Sequence, residues 1–281
     1  MPSVTGHHPL MDDRVTLSVD DRGIAGVRLN RADKRNALDG AMFLALRDAG
    51  ERLKSEPGVR VVVLSGEGES FCAGLDFAAF QSMTGAGGQM DAADGNPGVP
   101  TPGGITHLGQ QVCWVWQELP VPVLAAVHGH ALGGGMQIAL GADLRFIHPD
   151  TKLSVREVHW GLTPDMTGTL FLSRLVGSDV AKELTFTARM ISGREAGELG
   201  LATHVTETPY DDAMAVAGEI AGRSPDAVRG AKALFNRLAN ADAAAQFAEE
   251  RRVIGSLIGT PNQVEAVMAN FENRPPTFTN P

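Results

Sequence analysis

The stretch His128-Gly129-His130-Ala131-Leu132-Gly133-Gly134-Gly135-Met136-Gln137 lies between the apolar run Val121 to Val127 and the apolar pattern Ile138 to Leu140. A strand there ends in three consecutive glycines that open a helix. Glycine lets the backbone turn tightly and lets another atom approach closely. The first helical N–H groups have no intrahelical acceptor and carry partial positive charge. Such a turn suits a negative oxygen, either of a phosphate or of a carbonyl that becomes an oxyanion. A close-packing glycine corner between strand and helix is the structural alternative. Phosphate-loop fingerprints do not match. A dinucleotide loop needs G-x-G-x-x-G with a later acidic residue, and a P-loop needs Lys-Ser or Lys-Thr after its glycines.

A second turn has the same design. Val59 to Ser65 is a β-branched run that reads as a buried strand, and Gly66-Glu67-Gly68-Glu69-Ser70-Phe71-Cys72-Ala73-Gly74-Leu75-Asp76 follows it. A short helical segment is expected from Asp76 to Met83. Two backbone donors from separate strand ends would then face one carbonyl oxygen, and each such donor stabilises an oxyanion by a few kcal/mol.

Phe71-Cys72-Ala73-Gly74-Leu75-Asp76 and Ala131-Leu132-Gly133-Gly134-Gly135 resemble the two oxyanion-hole signatures of the crotonase family, the enoyl-CoA hydratases and isomerases. Arg31-Ala32-Asp33-Lys34-Arg35-Asn36-Ala37-Leu38 resembles that family's acyl-CoA-binding turn. Gly193-Arg194-Glu195-Ala196 to Gly200-Leu201-Ala202 is similar to its later helix, turn and strand. The resemblance runs from about Val15 to the C-terminus. It implies an α/β fold, a crotonase-like spiral of ββα units with a C-terminal helical trimerisation region. It also implies a thioester oxygen held by Leu75 N–H and Gly134 N–H. Coenzyme A, as part of the substrate, would meet Lys34, Arg35, Ala37, Ala73, Leu75 and Asp76. No redox or metal cofactor is implied, and the expected assembly is a homotrimer or a dimer of trimers.

Composition sets outer bounds. The chain has 281 residues, 43% of them hydrophobic, which suffices for a substantial core. No apolar stretch approaches the length of a membrane span. Residues 1–13 read as a loose tail rather than a signal peptide. Cys72 and Cys113 do not suggest a disulfide framework, and a cytoplasmic location is expected. A net charge of −9 argues against nucleic-acid binding. It also requires local positive charge for an anionic ligand, for which Lys34 and Arg35 are candidates.

The pattern divides the chain into a core at 14–205, with a flexible insertion at 81–104, and a C-terminal helical oligomerisation region at 206–281. Val15 to Val19 and Ile24 to Leu29 read as a hairpin. Asp39 caps a helix with Met42, Leu46 and Leu53 on one face. The alternation continues with helix Ile105 to Glu118, strand Val123 to Val127, helix Gly134 to Leu140 and strand Asp143 to Ile147, which indicates an α/β core. Phe247, Ile254, Leu257 and Ile258 form an apolar stripe near the end.

The acids decide the reaction. The resembling hydratases carry one glutamate two residues after the triple glycine, where this chain has Gln137. An amide hydrogen-bonds water but exchanges no proton near neutral pH. Their second glutamate matches Glu157 in Arg156-Glu157-Val158-His159-Trp160-Gly161-Leu162-Thr163-Pro164. Asp165 follows, eight residues after Glu157, and the resembling dienoyl-CoA isomerases carry a glutamate and aspartate so spaced. Two carboxyls facing one apolar cavity have separated pKa values, so one donates while the other accepts. Asp165 also reads as an N-cap for a helix from Thr167 to Leu175. The expectation is therefore a double-bond isomerase acting through Glu157 and Asp165. The alternatives are a hydratase in which Gln137 holds water, and a silent CoA-binding interaction protein. Dehalogenase chemistry at Asp165 ranks lower, since it needs a placed histidine, and His107 and His159 read as structural. His128 and His130 read as packing at the glycine turn, Cys72 as a small buried residue, and Trp114, Trp116 and Trp160 as core.

Overall fold

The computed structural model describes residues 14–76, 94–160 and 164–238 and, towards the C-terminus, 260–262, 265, 272, 274–275 and 277–280. The expected tail at 1–13, the helical segment beyond Asp76, the 81–93 part of the insertion and the apolar stripe at Phe247, Ile254, Leu257 and Ile258 lie outside them.

Among the described residues nine strands form two sheets: β1 Val15–Val19, β2 Ile24–Leu29, β3 Val61–Gly66, β4 Val123–Val127, β5 His130–Leu132, β6 Leu144–Ile147, β7 Lys152–Ser154, β8 Ile191–Ser192 and β9 His204–Val205. The larger sheet has the order β1-β2-β3-β4-β6-β9, parallel throughout except for the β1–β2 hairpin. The smaller sheet has the order β5-β7-β8. The helices are α1 Gly40–Ser55, α2 Leu108–Glu118, α3 Gly134–Leu140, α4 Gly168–Val176, α5 Ser178–Thr187, α6 Gly193–Glu198, α7 Pro209–Ala221 and α8 Pro225–Leu238.

The sequence dictates most of this locally. Residues 61–64 of β3 are buried on both faces, as a continuous β-branched run requires in a parallel sheet covered by helices. One cover is α1, whose Met42, Leu46, Ala49 and Leu53 face the core; Asp39 Oδ1 caps it by accepting from Met42 N–H at 2.9 Å. The other is α7, whose Ala213 and Ala217 pack on Ile24, Val61, Val63, Leu124 and Phe146. Next, α8 docks through buried Lys232, whose Nζ donates to Trp116 O and Val121 O and pairs with Asp143 at 2.8 Å. The described helices after residue 206 thus pack on their own core.

Two expectations are corrected. Helix α2 begins at Leu108, not Ile105: Ile105 is 88% exposed, and His107 is the cap, with Nδ1 accepting from Gln110 N–H at 3.3 Å. The described part of the insertion is tied to that cap, with Leu108 N–H donating to Val99 O and Gly109 N–H to Pro97 O, both at 2.8 Å. Helix α4 begins at Gly168 after Thr167, whose side chain makes no cap bond, and Asp165 does not occupy the cap position.

Asn36 staples the turn after β2 to the turn after β3. It is fully buried; its Oδ1 accepts from Arg31 N–H at 2.8 Å, and its Nδ2 donates to Glu67 O at 2.9 Å and Ser70 O at 2.8 Å. Its φ of 56° lies in the left-handed region that asparagine tolerates better than most residues. Asn36→Ala removes these bonds and keeps the unfavourable φ. The expected loss is about 2–4 kcal/mol of unfolding free energy in urea titration, with Asn36→Gly losing less because glycine accepts the backbone angle.

Candidate active site

The turns after the carboxyl ends of the parallel strands build one site, where open α/β sheets form their crevices. Cys72 and Ala131 pair as neighbouring parallel segments: Cys72 N–H donates to His130 O at 2.9 Å and Leu132 N–H to Cys72 O at 3.1 Å. Leu38 pairs on the other side, with its N–H on Gly74 O at 2.8 Å and its O accepting from Asp76 N–H at 3.0 Å. In that pattern Leu75 points its own N–H away from Leu38. Gly134 opens α3 and has no intrahelical acceptor. Each of these two N–H groups lies three residues beyond one member of the Cys72–Ala131 pair, and neither has an acceptor among the described residues.

The glycines are required by approach and angle. A Cβ on Gly135 would overlap the Cys72 carbonyl oxygen. Gly133 has φ 51° with ψ −120°, which an L side chain does not tolerate.

A cavity of about 840 Å³ opens over these turns. Its wall contains the expected Lys34, Arg35, Ala37, Ala73, Leu75, Asp76, Gly134, Glu157 and Asp165. The Asp76 carboxylate is committed to Arg31, which donates to it at 2.6 Å, so it locks two turns together. Reading the sequence missed His130, Lys152 and Arg156 on the wall, together with apolar Phe43 and Met166. His130 and Lys152 stand opposite each other in the β5–β7 pairing, a juxtaposition that no local pattern signals. Burial first, then Arg35 and Lys152, holds His130 below its usual pKa, and its Nδ1 lies 2.9 Å from Ser70 Oγ.

Glu157 sits in a short 3-10 turn, Glu157–Trp160. Its Oε1 accepts from Gln137 Nε2 at 2.6 Å, and its buried Oε2 has no hydrogen-bond partner among the described residues. Burial raises its pKa; the Gln137 hydrogen bond opposes the rise and the Asp165 charge adds to it. Asp165 is exposed at the cavity wall. The Gln137 side chain, which the hydratase alternative gives to water, is fully buried, lies off the cavity wall and has both ends hydrogen-bonded within the protein. Thr167, at φ 69°, is a β-branched residue in the left-handed region, a strain of about 1–3 kcal/mol beside the site.

The remaining candidates are structural. His107 is a helix cap, and neither it nor exposed His159 lines the cavity, so the histidine a dehalogenase needs is not supplied by them. Trp116 is fully buried, and Trp114 stacks on Phe171 at 6.1 Å. Cys72 donates Sγ–H to Asn36 O at 3.1 Å, and burial pushes its thiol up to about 12, which leaves it inert as a nucleophile. Among the described residues no helix is long and apolar enough to cross a membrane, and no group of three or more His, Cys, Asp and Glu could hold a metal ion.

Comparisons with known proteins agree with this geometry. A family model described as enoyl-CoA hydratase/isomerase matches residues 20–281. The chain is 33% identical over 269 residues to crotonyl-CoA hydratase of Syntrophomonas wolfei, covering 95% of this chain and 98% of that protein. It is 32% identical over 269 residues to the mitochondrial methylglutaconyl-CoA hydratase of Mus musculus, covering 93% and 81% respectively. The solved structure of an enoyl-CoA hydratase from Mycobacterium tuberculosis superposes with a TM-score of 0.82 at 30% identity, covering 95% of this chain and 99% of that one. Paired strand ends with two N–H groups that have no acceptor among the described residues, a half-buried glutamate on the same cavity wall and this likeness along nearly the whole chain place the protein in the enoyl-CoA hydratase/isomerase family, the crotonases.

Proposed function

We propose that the enzyme moves a double bond along an enoyl-CoA or dienoyl-CoA thioester, with Glu157 transferring the proton. The observation that carries this reading is the setting of Glu157. It is the carboxyl on the cavity wall raised by burial, and Gln137, sealed behind it, offers the cavity neither an acid nor a hold on water. Double-bond migration needs no water.

In this reading the thioester oxygen accepts from Leu75 N–H and Gly134 N–H. Glu157 takes a proton from the carbon next to the carbonyl, or from one conjugated to it. The C–H electrons pass into an enolate whose charge rests on that oxygen. Glu157 then returns that proton to the other end of the conjugated system, which completes the shift and restores its ionised form. With a dienoyl chain, Asp165 gives its proton to the distant carbon and regains one from solvent, to which Glu157 releases the proton it took. Lys34, Arg35, Lys152 and Arg156 give the wall of this net-acidic chain positive charge for the CoA phosphates. Coenzyme A is part of the substrate, and proton transfer calls for no redox or metal cofactor.

Hydration of a 2-enoyl-CoA is the second reading, favoured by the names of the relatives, crotonyl-CoA hydratase and methylglutaconyl-CoA hydratase. It leaves Glu157 to handle water without a second acid. Incubation with 2-enoyl-, 3-enoyl- and 3,5-dienoyl-CoA in D₂O separates the two. Migration without added hydroxyl is expected, with Asp165→Asn slowing dienoyl migration about tenfold or more. Brisk hydration of 2-enoyl-CoA, unchanged in Asp165→Asn, would favour the second reading.

The oxyanion role of Gly134 is tested by a pair of variants. Proline fits the first helical position but removes the N–H; alanine keeps it. Either adds a Cβ that meets only the mobile ends of Leu38 and Met166. Gly134→Pro is expected to lose about 100-fold or more in kcat, and Gly134→Ala much less. Equal losses would remove the assignment.

The pH dependence follows from the raised Glu157. It must be ionised to accept a proton, and protonation on acidification disables it. The acid limb of kcat/KM is therefore expected above the ordinary carboxylate value of 4.5, with activity falling as pH drops through it. A limb at or below that value in a steady-state pH profile would contradict the role.

A further inference from the structure

We infer that Gln137 is a positioning residue, a buried amide strut that holds Glu157 beside the glycine turn and ties it to the turn carrying Asp165. This rests on the reading of Glu157 as the proton-transfer group. Gln137 lies in α3, whose first N–H is the Gly134 donor. Its Oε1 accepts from Met166 N–H at 3.0 Å and Gly168 N–H at 2.9 Å. Two backbone donors on one oxygen fix the amide's orientation, because a flipped NH₂ would face both of them. The end turned to Glu157 is therefore the donor, and Glu157 Oε1 accepts from it at 2.6 Å. The held oxygen lies 3.2 Å from where a Cβ of Gly133 would stand, directly beside the residue that precedes Gly134.

The same amide fixes the turn. Met166 and Gly168 flank Thr167, the β-branched residue held at φ 69°. Strained backbone persists where its neighbours are pinned, and Gln137 Oε1 pins both. Asp165 immediately precedes this clamped segment. One side chain thus connects the oxyanion helix, the buried carboxyl and the turn of the exposed carboxyl, although it does not line the cavity. Its chemistry is specific. An apolar residue would leave two N–H donors and a carboxyl oxygen unmatched, and a carboxylate could donate to Glu157 only while protonated.

The test uses Gln137→Glu and Gln137→Met in the full-length protein, assayed on whichever enoyl-CoA reaction the native enzyme performs, with folding checked by thermal melts. Gln137→Glu keeps the shape and an oxygen for the two N–H donors. Its other oxygen faces Glu157, so the pair holds one proton between them and titrates in two coupled steps. While that proton is held the variant imitates the amide; once it leaves, two carboxylates repel. The kcat–pH curve of Gln137→Glu is therefore expected to turn bell-shaped, with an alkaline fall of about tenfold or more that the native enzyme lacks, and KM within about threefold. Gln137→Met loses the donor at every pH. Its acid limb is expected to move upward, because the lost bond is one that holds the Glu157 pKa down. If Gln137→Met does not fold, Gln137→Glu decides alone. A folded Gln137→Glu whose curve matches the native one, or is that curve scaled by a constant, overturns the strut. Glu157→Gln separates the two failures: near-native turnover there removes the role of Glu157 itself, whereas its loss beside an unaltered Gln137→Glu profile removes only the strut.

Discussion

The parallel pairing of Cys72 with Ala131 is the constraint on which the site depends. It brings the ends of two strand–turn units side by side, with hydrogen bonds of 2.9 and 3.1 Å on either side of Cys72. The next residues are then forced. The backbone at Gly135 lies against the Cys72 carbonyl, and a Cβ on Gly74 would press on the Leu132 carbonyl oxygen. Only glycine admits both approaches. The two N–H groups that follow, on Leu75 and Gly134, have no acceptor among the described residues: one points away from its ladder partner, and the other opens a helix.

Around that pairing, buried polar side chains do the joining that apolar packing cannot do directionally. Asn36 joins the turns after β2 and β3, and Arg31 joins the same region to Asp76. Gln137 joins α3 to Glu157 and to the turn before α4. Each of these groups is matched by partners inside the protein, the condition under which burying a polar group is tolerated. The Glu157 Oε2 atom is different: buried and without a partner among the described residues, it belongs to the group whose pKa burial raises. A carboxyl so placed keeps its proton to a higher pH than an ordinary one.

Cavity electrostatics reconcile a chain of net charge −9 with an anionic ligand. Lys34 and Arg35 come from the turn after β2, Lys152 from β7 and Arg156 from the segment just before Glu157. They face Asp33, Glu157 and Asp165, while the Asp76 carboxylate is already neutralised by Arg31. The overall acidity of the surface therefore says little about the site.

The sequence alone determined strands β1, β2, β3, β4 and β6, whose apolar runs mark them, and the two glycine turns; the short strands β5, β7 and β8 carry no such run and only the tertiary structure shows them. Glu157 was singled out by the resemblance of its segment to that of the family. Helix starts were less legible at α2 and α4, because the capping histidine and the strained Thr167 answer to local hydrogen bonds rather than to apolar periodicity. The place of Gln137 was decided only by the tertiary structure. Nothing along the chain distinguishes an amide facing water from one facing three protein partners. The partners are Glu157, Met166 and Gly168, far along the chain, and only packing α3 against their segments brings them together. His130 and Lys152 follow the same rule: their juxtaposition is set by β5–β7 register, and register is a property of two segments, not of either one.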